Sequence, residues 1–211
     1  MNYLEGVVGH WVDQSRNVIA SQTTLSKRPA FISNALNGKP VIRFDGIDDV
    51  LGFTSSSLGT KNKTIIVVAK SPSNPSGIQG VLSNGTANWY VGYDSTTIGK
   101  TSHAKTDTTQ QTTDSSANFL STTDFIIQVY RWNVVDETVE VSFFKNGILH
   151  GTTTYSSGVS STVGSSWFIG AFNATSLFFP GDIAELMVFD RVLTDAQFRY
   201  IHTYLSTKYN L

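Results

Sequence analysis

Two kinds of stretch in the sequence carry side chains that could bind a metal or a ligand. The first is the acidic turn Asp45-Gly46-Ile47-Asp48-Asp49, with three carboxylates in five residues. Ca²⁺ prefers six to eight oxygen ligands, but the spacing and the closing glutamate of an EF-hand loop are missing. Short aspartates also form turns in which the side chain accepts backbone N–H groups. Asp45, Asp48 and Asp49 are therefore predicted either as a calcium site or as turn formers.

The second kind is aromatic. A sugar combines apolar C–H faces with polar edges, so its site needs an exposed ring beside amide, hydroxyl or carboxylate groups. Two loop-bordering stretches have this composition, and they predict these ligand-binding residues: Trp89, Tyr90, Tyr93, Asp94, Asn173 and Phe178. The alternative for the tryptophans is core packing. It is favoured for Trp132 and Trp167, which lie within alternating runs, whereas Trp89 borders a loop.

Catalytic groups are harder to find. A retaining glycosidase needs two carboxylates about 5–5.5 Å apart. Glu137 and Glu140, and likewise Asp182 and Glu185, are three residues apart, which predicts opposite faces of a regular strand. Glu185 is instead predicted to pair with Arg43 or Arg191. The four histidines show no metal-ligand spacing, and there is no cysteine, so no catalytic residue is predicted.

The elements that must position these residues are mostly strands. Thr64–Ala69 is β-branched and nearly all apolar, which predicts a central strand covered on both faces. Asn146-Gly147 lies between two β-rich runs and predicts a type I′ hairpin turn. A two-residue loop there would place Lys145 opposite Ile148 and Phe144 opposite Leu149.

One helix is predicted, from about Asp195 to Lys208. Thr194 is its expected N-cap, and Gln197 has the spacing of a capping box. Phe198, Ile201 and Leu205 form one apolar stripe that should dock on the strands. Many short strands with turn signals and a terminal helix indicate a double-sheet sandwich.

Composition limits the possible functions. The chain has 211 residues, a net charge of -1 and 15% charged residues. We expect one domain over residues 1–211, with the Thr/Ser-rich segment 94–123 as an insertion or as exposed edge strands. There is no basic patch for nucleic acid and no apolar run long enough to span a bilayer. The first residues also lack the pattern of a signal peptide.

Four stretches together resemble a known family. They are Trp11–Ser15, Gly38–Leu51, Phe143–Gly147 and Phe179–Thr194 with the helix that follows. The chain resembles the concanavalin A-like lectin/glucanase superfamily, in particular its laminin-G-like jelly-roll domains. The resemblance implies an all-β fold: a two-sheet antiparallel jelly-roll sandwich with a short C-terminal helix. It also implies a possible Ca²⁺ site on the sandwich rim; otherwise no cofactor is expected.

Members of this superfamily bind glycans, cleave glycans, bind proteins or serve as structural modules, so the fold alone does not decide the function. The superfamily's glucanases carry a carboxylate pattern that is missing here. The leading hypothesis is a non-catalytic, lectin-like module that binds a glycan or a surface protein. The alternatives are a phage virion attachment protein acting through protein contacts, as a homo-oligomer or in virion assembly, and a glycoside hydrolase. The expected location is extracellular or on a virion surface.

Overall fold

A computed structural model describes eleven stretches of the chain; side chains are described in them except at residues 2–4, 98–104, 110–114 and 155. The stretches are residues 2–4, 6–15, 18–56, 58, 61–71, 77–84, 89–94, 98–104, 110–115, 118–156 and 164–211.

Strands dominate the described chain, and one α-helix, α1 (Asp195–Tyr209), closes it. The strands are β1 (Asn2–Leu4), β2 (Val7–Val12), β3 (Ile19–Ser21), β4 (Ala30–Leu36), β5 (Lys39–Asp45), β6 (Leu51–Thr54), β7 (Lys63–Lys70), β8 (Gln79–Asn84), β9 (Tyr90–Asp94), β10 (Ile98–Ala104), β11 (Gln110–Asp114), β12 (Ile126–Val135), β13 (Thr138–Lys145), β14 (Ile148–Ser156), β15 (Ser166–Ile169), β16 (Ala171–Asn173), β17 (Ser176–Phe178) and β18 (Pro180–Phe189). None of the described helices is long and apolar enough to cross a membrane.

The strands form two antiparallel layers. The helix layer has the order β4-β5-β18-β7-β12-β13-β14, and α1 packs on its outer face. The hairpin layer has the order β11-β10-β9-β8-β15-β6-β3-β2, and the β16–β17 hairpin packs on its outer face over β8. The layers join where β2 pairs with β4, at Val7 opposite Ala30. This is the predicted all-β jelly-roll sandwich with a short C-terminal helix.

The central strand β7 is covered on both faces, as its apolar sequence predicts. Ile65 and Val67 belong to the core between the layers, whereas Ile66 and Val68 pack beneath α1. Successive side chains of a strand point to opposite faces of the sheet, so a run that is apolar at every position is stable only where both faces are buried. The two cores are therefore separated by the thickness of one sheet.

The hairpin between β13 and β14 has the predicted turn. Asn146 and Gly147 have φ values of 49° and 81°, the left-handed region that a type I′ turn requires. Lys145 lies opposite Ile148 and Phe144 opposite Leu149, so the register is the predicted one.

Helix α1 also follows the prediction and extends one residue beyond it. The Gln197 amide donates to the Thr194 hydroxyl at 3.3 Å, and the Gln197 side chain accepts from the Thr194 amide at 3.1 Å, which completes the capping box. Phe198 and Leu205 are buried against the helix layer, and Ile201 packs there partly buried.

The polar segment 94–123 contributes β10 and β11 to the outer edge of the hairpin layer. Its last part was not expected to reach the core. Phe119 and Leu120 are nonetheless buried between the layers, and the Phe119 ring lies 5.4 Å from that of Tyr130. Two apolar residues in a polar stretch have no periodicity from which a core position could be predicted.

Candidate functional site

The predicted aromatic platform on β9 is not exposed. Trp89, Tyr90 and Tyr93 expose 2%, 3% and 0% of their surface, so none of these rings can stack on a sugar. Trp89 packs edge-to-face on Trp132 at 5.4 Å, and the Tyr93 hydroxyl donates to the Gln128 side chain across the two layers. The expected surface role of these rings is therefore corrected to core packing, as it was predicted for Trp132 and Trp167.

The outer face of β9 is covered as well. Tyr90 meets the ring of Phe172 from the β16–β17 hairpin at a centroid distance of 4.8 Å. The sequence does not show that a hairpin eighty residues downstream folds back over this strand. Burial of Tyr90 is a consequence of that tertiary contact.

The remaining predicted ligand contacts lie nearer the surface. Asp94, Asn173 and Phe178 are each partly exposed. The Asn173 carboxamide oxygen accepts from the Thr175 amide at 2.9 Å and from the hydroxyls of Thr175 and Ser176 at 3.1 and 3.0 Å. Asn173 thus shapes the hairpin turn, and ligand binding by these three residues stays a prediction.

A groove on the outer face of the hairpin layer was not predicted. It has a volume of about 490 Å³ and is open to solvent. Strands β3, β6 and β15 form it, and its lining residues are Val18, Ile19, Ser21, Gly52, Phe53, Thr54, Ser166, Trp167 and Phe168.

The floor of the groove follows from strand register. Phe168 pairs with Gly52, and Gly52 pairs with Ser21, so the three side-chain positions point to one face of the layer. A Cβ atom at Gly52 would lie 3.5 Å from the Phe168 ring, which is the distance of ordinary contact. The ring therefore lies over the glycine, and it is partly exposed while its neighbour Trp167 is buried. The alternation in Trp167-Phe168 could have indicated one inward and one outward ring.

The β16–β17 hairpin lies on the same face of the layer as this groove. Phe168 also pairs with Ser83 on β8, and the Ser83 hydroxyl donates to the Ala171 carbonyl of β16 at 3.0 Å. Directly opposite side chains of an antiparallel pair lie on the same face. The groove and the β16–β17 hairpin therefore share the outer face of the hairpin layer.

The described lining of the groove carries no charge. Among its described lining residues, the polar side chains are the hydroxyls of Ser21, Thr54 and Ser166, and none is ionisable. Hydroxyl groups donate and accept hydrogen bonds, and the Phe168 ring offers an apolar face. These described residues can bind a neutral polar molecule, but they supply no carboxylate for general acid catalysis.

The predicted partners of Glu185 are corrected. Glu185 accepts from Lys208 of α1 at 2.7 Å and from the Tyr209 hydroxyl, rather than from Arg43 or Arg191. Arg43 instead forms a two-pronged ion pair with Asp182, with distances of 2.6 and 2.9 Å. A bulge between Ile183 and Glu185 breaks the alternation that the sequence-based face assignment assumed. Each carboxylate is neutralised by its own cation.

The acidic turn brings its three carboxylates together. Oxygens of Asp45, Asp48 and Asp49 all lie within 4.8 Å of one another. The same residues form the predicted turn, since Asp45 Oδ1 accepts from the amides of Ile47 and Asp48 at 2.8 and 3.2 Å, and Asp49 Oδ2 accepts from the Asp45 amide at 2.9 Å. Burial, together with the nearby Asp45 and Asp48 charges, raises the pKa of Asp49 to about 6.

These contacts account for the acidic turn without an ion. Three carboxylates also fall short of the six to eight oxygens that Ca²⁺ takes, so backbone carbonyls or waters would have to supply the rest. Calcium binding stays a prediction, and comparing the melting temperature with Ca²⁺ and with a chelator tests it.

Comparison with known proteins establishes the family. The family model for the concanavalin A-like lectin/glucanases superfamily matches residues 45–198, which is more than two-thirds of the chain. The protein therefore belongs to the concanavalin A-like lectin/glucanase superfamily. No curated protein matches the sequence at a significant level.

Solved structures with the same fold include carbohydrate- and receptor-binding domains. The chain is similar to the CBM40 domain of the Ruminococcus gnavus IT-sialidase, solved with α2,3-sialyllactose, with a TM-score of 0.58 and 17% identity over 76% of this chain and 96% of that one. It is similar to the receptor-binding domain of botulinum neurotoxin type G, with a TM-score of 0.63 and 8% identity over 95% of this chain and 52% of that one.

A third similar structure is a Trypanosoma rangeli sialidase solved with sialic acid, with a TM-score of 0.65 and 13% identity over 95% of this chain and 31% of that one. The chain thus spans about half of the neurotoxin domain and about a third of the sialidase. At these identities the comparisons establish the shared fold alone.

Proposed function

We propose that this chain is a non-catalytic, lectin-like module that binds a neutral glycan in the groove formed by β3, β6 and β15. The observation that carries the proposal is the partly exposed Phe168 ring lying over Gly52 in an open groove whose described lining is uncharged. An aromatic face beside hydroxyl groups matches the apolar and polar faces of a sugar.

The comparisons support binding in general terms. One structure with this fold is a carbohydrate-binding module solved with sialyllactose, and another is a toxin's receptor-binding domain. The proposal differs from the first in charge, because an acidic sugar is usually held by arginine or lysine. The described lining of this groove has neither.

The experiment is a glycan array followed by calorimetry on the hits. We expect Phe168→Ala to weaken binding about fivefold or more, taking as a guide the roughly 1–3 kcal/mol that stacking on an aromatic side chain contributes for nucleic-acid bases. Gly52→Val should also weaken binding, because methyl groups added beyond a Cβ that already lies 3.5 Å from the Phe168 ring would displace that ring. Tyr200→Ala is the matched control, because Tyr200 is an exposed ring on α1, which packs on the outer face of the other layer.

Unchanged affinity in Phe168→Ala, with the variant folded, would place the glycan elsewhere. The next variant to examine would then be Phe178→Ala, which tests the predicted hairpin contact. Release of reducing ends from the bound glycans would overturn the non-catalytic part of the proposal and favour the glycoside hydrolase alternative.

A further inference from the structure

Strand β14 lies at the end of the helix layer. In the strand order of the described residues it pairs with β13 on one side and is the last strand. Six consecutive residues, Gly151–Ser156, pair regularly with β13 beyond a bulge near Phe143. The other side of such a strand presents backbone N–H and C=O groups that can pair with another strand.

Over Gly151–Ser156 this edge lacks most of the features that usually prevent such pairing, and its one bulge, at His150, lies just before that run. Natural edge strands are kept apart by short length, charged side chains or proline. Strand β14 has nine residues, none of them charged and none proline. The opposite end of the strand order, β11, shows the contrast, since it has five residues and ends at Asp114.

The side chains of β14 also favour a copy of itself as the partner. Thr152, Thr153 and Thr154 are consecutive, exposed and β-branched, which suits them to a strand surface. An antiparallel pair of identical strands has twofold symmetry. Each residue then lies opposite a residue of the same strand in the other copy, and the two side chains must be compatible. A neutral threonine run meets this condition, because Thr–Thr pairs across strands are favourable and no like charges meet.

We propose that two copies of this chain associate through antiparallel pairing of their β14 strands, with the twofold axis at Thr153. In this register Thr152 of one copy lies opposite Thr154 of the other, on both sides of the axis. The helix layers of the two copies then form one continuous sheet. The inference is independent of the proposed glycan site, which lies in the other layer.

The experiment measures the solution mass of the full chain by sedimentation equilibrium over a range of concentrations. The wild type is expected to form a dimer. Thr152→Lys/Thr154→Lys should raise the dimer dissociation constant about tenfold or more, since two pairs of like charges then lie opposite each other. Thr152→Glu/Thr154→Lys is the matched variant, because the same register now pairs Glu with Lys, and its dimer should persist.

Measured at concentrations where the wild type is monomeric, the melting temperatures of both double variants should stay near that of the wild type, since the substituted side chains are exposed. A wild type that stays monomeric at all concentrations overturns the proposal. So does a dimer that persists in Thr152→Lys/Thr154→Lys, because that dimer uses another surface. Loss of the dimer in both variants overturns the register with its axis at Thr153.

Discussion

Lys63 is a buried cation whose cost to stability can be measured. Its side chain exposes only 1% of its surface between the two layers, opposite Trp132 in the strand register. The ammonium donates to the Leu58 carbonyl and lies 4.5 Å from the centre of the Trp89 ring. Burial lowers the pKa of Lys63 from 10.5 to about 7, against the opposing charge of Asp190.

This shift fixes the sign of the pH dependence. A lysine with a lower pKa in the folded chain binds fewer protons when folded, so stability rises with pH between about 7 and 10.5. At about 1.4 kcal/mol per pH unit, burial of the charge costs about 5 kcal/mol at pH 6 and about 2 kcal/mol at pH 9. The difference between the two conditions, about 3 kcal/mol, is the quantity to test.

Lys63→Met removes the charge and keeps a side chain of similar length. It leaves the Leu58 carbonyl without its donor, which costs about 1–3 kcal/mol at both pH values. We therefore compare the free energy of unfolding of Lys63→Met with that of the wild type, measured in urea at pH 6 and at pH 9. The difference, variant minus wild type, should be about 3 kcal/mol more positive at pH 6 than at pH 9. Lys61→Met, at an exposed position nearby, is the control and should show a similar change at both pH values.

An equal change in stability for Lys63→Met at both pH values would refute the reasoning. It would mean that the ammonium keeps its ordinary affinity for protons inside the sandwich. Stabilisation at pH 9 alone would reverse the sign and contradict the inferred burial of the charge.

Three further predictions concern local structure. Gly147→Ala should destabilise more than Gly38→Ala: both have positive φ (81° and 80°), but a Cβ at Gly147 would also come within 3.0 Å of His202, whereas nothing lies within 4 Å at Gly38. Urea unfolding should show a loss of about 1–2 kcal/mol in stability for Gly38→Ala, from backbone strain alone, and a larger loss for Gly147→Ala. Equal losses in the two variants would contradict the contact with His202. Thr194→Ala should cost about 1 kcal/mol by removing the cap of α1, and an unchanged unfolding midpoint would count against the capping box. Asp49→Asn should gain up to about 2 kcal/mol in stability relative to the wild type between pH 4 and pH 7. The wild type becomes less stable over this interval, because its folded form must ionise a carboxyl whose pKa is raised to about 6. A flat difference between the two pH values would show that Asp49 titrates normally.

Much of the fold could be predicted because its determinants are local. The positive φ values at Asn146-Gly147 and the exchange of hydrogen bonds between Thr194 and Gln197 each involve residues at most three apart. The uninterrupted apolar run of β7 likewise implies two covered faces without reference to any other part of the chain. Such features are determined by the sequence itself, since backbone sterics and short-range hydrogen bonds need no distant partner.

The candidate site depended on contacts that the sequence does not encode locally. Tyr90 is buried because Phe172, eighty-two positions later, lies over it, and Glu185 binds Lys208 because α1 docks beside β18. The groove exists because Phe168 pairs with Gly52 across more than a hundred residues. Residue types indicated which side chains could stack or carry charge, whereas only the packing of the layers decided which of them face solvent. The physical reason is that exposure is a property of what covers a residue, and here the covering segments are distant in the chain.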